Sequence, residues 1–252
     1  MIPGILASAG RFLDIAALPN CALWLDASDA STITHSSGSV SQINDKSGNG
    51  RHFTQATSAN QPRIDTATQN GLAVLDFDGT NDRLELGSSG LGRNVGGVTI
   101  YVVAKHDVVS ARTLFQFSIN STSTLSRATV RLTSASKADT GGRRLDAESF
   151  VSVAGASNVS TSIFSVLTGI LDYTNSDAFI YLGQSLDGST TSFQTDGSTS
   201  DTDSLAGRLG SNLSNTDLFD GQIAELIVFH EAHNADQRAL IWAYLNRKWG
   251  LS

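Results

Sequence analysis

QIAELIVFHEAHNADQRALIWAYLNRKWG, residues 222–250, is the stretch whose reading decides the fold of this chain. Residues 222–230 are an apolar run broken only by Glu225, and they predict a strand. The period then changes. Asn234 followed by Gln237 is a variant of the capping box. Leu240, Ile241, Tyr244, Leu245 and Trp249 recur at helical spacing, so a helix over 234–250 presents one face to a sheet. Arg247 and Lys248 in the last turn complement the helix dipole, and Gly250 can end it. Glu225 reads either as a buried acid with a raised pKa or as a carboxylate that faces an edge or pairs with an arginine.

Upstream, the same strand signal repeats. ALWLD (22–26), GLAVLDFDG (71–79), LEL (84–86), GVTIYVVAK (97–105), TLFQFSI (113–119), SIFSVLTGIL (162–171) and AFIYLGQ (178–184) are short apolar or alternating runs separated by turn residues. Such spacing predicts an all-β fold, a sandwich or barrel, and not βαβ units. Residues 120–150 are rich in Ser, Thr and Arg and alternate only weakly. No internal repeat stands out.

The chain has 252 residues, long enough to bury a core without disulfide staples, and its one cysteine, Cys21, can form no internal disulfide. The formal net charge of −7 disfavours nucleic acid, and no Lys/Arg run or long apolar stretch points to a membrane. MIPGILASAG has no positive leader and makes a poor secretory signal.

Motifs for chemistry are weak. HEAHN (230–234) is one residue short of the zinc-helix spacing and falls between strand and helix, so two exposed loop histidines are expected. No nucleophile elbow and no phosphate loop occurs, and no second carboxylate stands at strand spacing from Glu225 to form a glycosidase pair. No enzymatic activity is expected. DKSGNGRHFTQ (45–55) offers oxygen ligands at alternate positions, Asp45, Ser47 and Asn49, and FDGTNDRLEL (77–86) offers Asp78, Asn81 and Asp82. Either stretch is a turn that bonds its own backbone, the preferred reading, or a Ca²⁺ loop with Asp45, Asn49, Asp78 and Asp82 as ligand candidates.

Two segments point outward. Residues 1–19 form an apolar arm with a short helix expected around Leu6–Ile15. The arm either packs on its own domain (residues 20–252) or docks into a partner protein or a second copy of the chain, giving a homo-oligomer. Residues 185–204 are nearly all polar, which predicts an exposed loop or long hairpin. Asp187, Phe193, Asp196, Asp201 and Asp203 on it are the candidate ligand-binding residues, with Phe193 taken as an exposed sugar platform.

LWLDASD (23–29), DKSGNGRHFTQ, QP (61–62), FDGTNDRLEL, TIYVVAK (99–105), RLGSN (208–212) and residues 219–250 together resemble the concanavalin A-like, laminin-G-like jelly-roll superfamily across roughly residues 22–250. The resemblance implies a two-sheet antiparallel jelly-roll sandwich with a C-terminal helix. The hydrolases of that superfamily carry E-x-D-x-x-E on one strand, a motif missing here, so the resemblance implies binding and not cleavage. MIPGILASAG is similar to the starts of phage tail and virion proteins that carry such domains. That second resemblance implies a virion-surface module, assembled in the bacterial cytoplasm, whose arm grips other virion proteins and whose sandwich contacts host surface polysaccharide. The alternative is a structural virion decoration protein with no ligand.

Overall fold

A computed structural model of the chain describes residues 13–119, 126–204 and 206–251. Its first strands are β1 (Cys21–Asp26), β2 (Ile33–Ser36), β3 (Ser39–Ile43), β4 (Phe53–Thr54), β5 (Thr68–Gln69), β6 (Leu72–Ala73), β7 (Leu75–Asp78), β8 (Leu84–Leu86) and β9 (Gly97–His106). β10 (Arg112–Ser118), β11 (Ser126–Leu132), β12 (Lys137–Gly142), β13 (Val151–Asn158), β14 (Ser165–Asp172) and β15 (Asp177–Leu182) follow. β16 (Ser185–Thr190), β17 (Ala206–Leu209), β18 (Asp220–Phe229) and the helix α1 (Ala235–Trp249) complete the order.

The strands form two large antiparallel sheets. One runs β1-β18-β9-β14-β15-β16, with β7 also paired to β18, and the other runs β13-β12-β11-β10-β17-β8-β4-β3-β2. They stack face to face as a jelly-roll sandwich. Leu23, Phe53, Phe77, Ile100, Phe115, Phe117, Val130, Leu171, Leu226 and Val228 fill the space between them. The expected architecture is therefore present, with its single C-terminal helix.

β9 and β18 are buried along nearly their whole length, and mostly apolar, because both of their faces are covered. Inward residues enter the intersheet core. Tyr101, Val103, Ala224, Ile227 and Phe229 point the other way and meet Ile241, Tyr244, Leu245 and Trp249 of α1. Asn234 and Gln237 form the reciprocal capping box, and Gly250 ends the helix at φ 59°. Ile15 enters the same cluster from a single 3₁₀ turn, Ile15–Ala17, capped by Asp14. Residues 13–19 of the arm thus pack on the chain's own sheet. Most of the predicted arm helix lies outside the described residues, while Leu13 and Asp14 are non-helical.

Residues 126–142 correct the sequence reading. They are two full strands, β11 and β12, in register from Ala128–Gly142 to Leu132–Ala138. Ala128, Val130, Leu132 and Ala138 face the core, and the polar residues between them face out.

DKSGNGR is a turn that covers the open side of β1. Trp24 N–H donates to Asp45 Oδ1 at 3.0 Å, and Lys46 N–H donates to Trp24 O at 2.8 Å. Asn49 Nδ2 and Arg51 Nη1 both donate to Ala22 O. Side chains here take the place of a neighbouring strand. Along the opposite edge, β13 and β16 come together. Ser157 N–H donates to Asp187 Oδ1 at 3.0 Å, and a Cβ at position 155 would lie 1.8 Å from Asp187 Oδ2, so glycine there lets that carboxylate sit against β13.

Candidate functional site

The two outer faces of the sandwich differ. α1 covers much of the seven-stranded sheet. The outer face of the nine-stranded sheet carries a polar row set by register: Gln42, Thr54, Glu85, Arg208, Gln116, Thr129, Gly141 and Ser152 are each paired with the next. Residues directly opposite across an antiparallel pair have neighbouring side chains, so this row is continuous.

A cavity of about 190 Å³ opens on this row. Thr113, Gln116, Ser126, Thr129, Arg131, Phe150, Asn212 and Asp217 line it. Arg131 packs over the Phe150 ring at 5.1 Å and is held there by Asp139, 2.7 Å away. Burial pushes the Asp139 carboxyl up, and Arg131 opposes that shift. Asn212 Nδ2 donates to Asp217 Oδ2 at 2.9 Å and fixes the far wall.

Gln116 is the informative residue. It is only 3% exposed, yet its Nε2 has no hydrogen-bond partner among the described residues. The neighbouring Arg208 likewise leaves Nε without a partner, although its Nη1 reaches Glu85 at 3.4 Å. Burial lowers the Arg208 pKa, which Glu85 opposes. A buried donor left unsatisfied costs about 1–3 kcal/mol. Such a cost placed on a cavity wall is recovered when a ligand oxygen arrives.

The polar loop behaves differently from its expectation. Phe193 is buried at 1% exposure, not exposed, and packs on Tyr173 with ring centroids 5.6 Å apart. Its polar flanks lie over the sheet end, so the one aromatic in the segment turns inward. Asp187 sits in the β13–β16 edge contact. Asp196 and Asp201 are exposed, and Asp203 pairs with Arg93 at 3.0 Å. Residues 195–204 are strapped down by Arg127. This arginine is 1% exposed and donates to Gly92 O, Thr202 O, Asp146 Oδ1 and Ser200 Oγ. The segment is a belt around a buried cation and not a free hairpin.

In the two oxygen-rich turns the candidate ligand residues bond the chain's own backbone. Both Asp45 oxygens accept main-chain N–H groups, from Trp24 and Ser47 on one and Arg51 on the other. Asn49 turns its Nδ2 toward main-chain carbonyls, with the Arg51 guanidinium on the same oxygen. Asp78 Oδ1 accepts from Thr80, Asn81 and Asp82, and Asp82 Oδ2 accepts from Asp78. Burial and the neighbouring Asp78 push the Asp82 carboxyl up to about 7. No group of three or more His, Cys, Asp or Glu side chains is placed to hold a metal among the described residues.

The histidines of HEAHN are also not exposed. His233 is buried against Tyr101, whose hydroxyl lies 2.8 Å from Nδ1, and His230 Nε2 accepts from Gly92 N–H. Burial lowers both pKa values to about 4, so both are neutral near pH 7. Cys21 is half-buried, and its thiol is pushed up to about 12 by burial and by Asp45. So raised, the thiol stays protonated near pH 7.

Glu225 is the buried acid that the sequence offered as one of two readings. It is 1% exposed and accepts from Trp24 Nε1 (2.6 Å), Tyr244 OH (2.8 Å), Lys248 Nζ (2.9 Å) and Trp249 Nε1 (2.6 Å). Its cation is Lys248 and not an arginine. Burial raises the Glu225 pKa, against Lys248. Its carboxylate is fully engaged in docking α1 and offers no free oxygen for chemistry.

The fold is an antiparallel jelly-roll sandwich. No protein-family model and no curated protein matches the chain by sequence. Solved structures do. The chain is similar to the botulinum neurotoxin serotype G binding domain, at 15% identity and TM-score 0.60 over 92% of this chain and 54% of that one. It is similar to botulinum neurotoxin type C, for which cell entry depends on interaction with two ganglioside molecules, at 10% identity and TM-score 0.62 over 90% and 51%. It is also similar to the heptameric SAP-like pentraxin of Limulus polyphemus, at 13% identity and TM-score 0.51 over 65% and 78%. The chain spans about half the length of the toxin domains. At these identities the likeness shows the fold.

Proposed function

We propose that this chain is a carbohydrate-binding module, and that the sugar lies on the outer face of the nine-stranded sheet. The observation that carries the reading is the unsatisfied Nε2 of buried Gln116 in a cavity walled by Phe150, Arg131, Thr129, Asn212 and Asp217. Sugars need an aromatic face for their C–H surface and fixed polar groups for their hydroxyls, and this wall supplies both. The solved structures that share the fold support the reading, since one concerns ganglioside-dependent cell entry and another is a binding domain in complex with SialylT. Among its lining residues the cavity holds one carboxylate, Asp217, already bonded to Asn212, which supports binding over glycan cleavage.

The finer reading is a module displayed on a virion and facing host glycan. It rests on the resemblance of MIPGILASAG to virion protein starts. Because residues 13–19 pack on the chain itself, attachment to other virion proteins falls to residues 1–12, which lie outside the described residues. Deleting them is expected to leave glycan binding intact and to release the protein from particles.

A glycan array followed by calorimetry tests the main proposal. Wild type binds a saccharide at micromolar to millimolar levels, while Gln116→Ala and Phe150→Ala each weaken binding about tenfold or more. An array blank at millimolar saccharide, or full binding by both variants, refutes the assignment.

A further inference from the structure

The helix-covered sheet leaves a second, separate cavity of about 200 Å³ between α1 and the β15–β16 turn. Tyr101, Thr168 and Tyr181 stand in one register row on its floor. Arg238 and Trp242, one helical turn apart, form a wall beside the small side chains of Ala235 and Ala239. Gly183 and Gln184, the two-residue turn between β15 and β16, close the end, with the Trp242 ring 3.5 Å from where a Cβ of residue 183 would sit.

The polar groups on this lining are unusually open. Arg238 stacks on the Tyr181 ring at 4.4 Å and donates Nη1 to His233 O at 3.0 Å. It has no carboxylate within ion-pair distance among the described residues, and its Nε and Nη2 have no acceptor there. That Nε–Nη2 edge is the fork that grips a carboxylate with two parallel hydrogen bonds. The Tyr181 hydroxyl, the Gln184 amide and the Trp242 indole N–H likewise lack protein partners among the described residues. The other two tryptophans, Trp24 and Trp249, both donate to Glu225.

We infer that this cavity binds the carboxylate-bearing ring of an acidic sugar, with Arg238 holding the carboxylate and Trp242, Tyr181 and Gln184 holding the ring. A hydrophobic ligand would leave the guanidinium edge unsatisfied, and a bare anion would leave the aromatic walls unused. The inference stands independently of the cavity at Gln116, which lies on the opposite face of the sandwich.

The full chain labelled with ¹⁵N has three indole N–H signals, one for each of its three tryptophans, and two of them serve as internal controls. Titration with sodium glucuronate is expected to move the Trp242 signal at millimolar sugar while Trp24 and Trp249 hold still. Glucose and sodium acetate should each bind at least about tenfold more weakly, since each supplies half of the recognition. Arg238→Lys keeps the charge but loses the fork and should weaken glucuronate about tenfold. Gln184→Ala, on an exposed turn where folding is not at risk, should weaken it several-fold. Gln116→Ala should leave this titration unchanged, which separates a failure here from a failure on the other face. A still Trp242 signal, an equal response to glucose or to acetate, or an unaltered titration in Arg238→Lys overturns the assignment.

Discussion

The sandwich treats its buried polar groups in two ways. Under α1, Glu225 meets four donors, and Lys248 lies between Glu225 (2.9 Å) and Asp26 (2.6 Å), with Lys46 on the far oxygen of Asp26. Burial alone would raise the Asp26 pKa, but Lys248, Ser28 and Lys46 together hold it below the usual carboxylate range. On the nine-stranded face, Gln116 and Arg208 are buried or nearly so and keep donors that no described residue accepts. The first arrangement is closed and builds structure. The second is incomplete and waits for an outside oxygen. Buried polar atoms without partners among the described residues also occur elsewhere, at Gln222 Oε1 on β18 and Asp187 Oδ2, so it is the missing partner together with its place on the cavity wall that marks the proposed site.

The largest effect should come from breaking the closed side. Glu225→Ala leaves two buried indole donors without their acceptor and Lys248 with Asp26 alone, and loss of one member of a buried pair costs about 3–5 kcal/mol. Urea unfolding measures this, and a loss below about 1 kcal/mol would mean that the cluster is not the anchor of α1. Arg127→Met comes next. It removes the cation shared by Thr202 O, Ser200 Oγ and Asp146, leaving Asp146 with only the Ser200 and Thr202 hydroxyls, and should loosen the 195–204 segment, with an expected loss of about 2–3 kcal/mol and faster proteolysis there.

Gln116→Leu sharpens the contrast from the other side. Removing an unsatisfied donor should leave stability unchanged or raise it by about 0.5–1 kcal/mol, while glycan affinity falls about tenfold. If stability falls steeply instead, Gln116 belongs to the scaffold.

The smallest effect concerns pH. Asp82 has a folded pKa of about 7 against 3.8 for the free group, so the folded state holds its proton more tightly between those values. Its contribution to stability is therefore largest below 3.8 and is lost as the pH rises through about 7. Asp82→Asn should flatten that slope in thermal unfolding curves, and an unchanged slope would place the titration elsewhere.

What could be read in advance followed from how local each signal is. The β18–α1 unit was legible because its strand run, capping box and terminal glycine are each contained within a few residues. Phe193 misled because six polar neighbours on either side outweigh one aromatic, and its partner Tyr173 is twenty positions away. Arg127 gave no signal at all, since its acceptors come from residues 92, 146, 200 and 202. The candidate site was hidden for the same reason. Gln116, Thr129, Phe150 and Asn212 meet only through sheet register. The single available clue was the Thr129–Arg131 alternation in β11, which reads as a polar face once β10 is laid beside it.

The Asp45–Arg51 turn and the β13–β16 contact have a consequence for how copies of the chain behave when crowded. A sheet margin with idle amide groups recruits strands from neighbouring molecules and seeds aggregates. Here one margin is plugged by side chains of its own loop and another is spent on its companion layer, where Ser157 N–H is taken by Asp187. Dense arrays of this domain should therefore resist pairing along those two margins, and β2, the exposed last strand of the nine-stranded sheet, is the edge left for a neighbour.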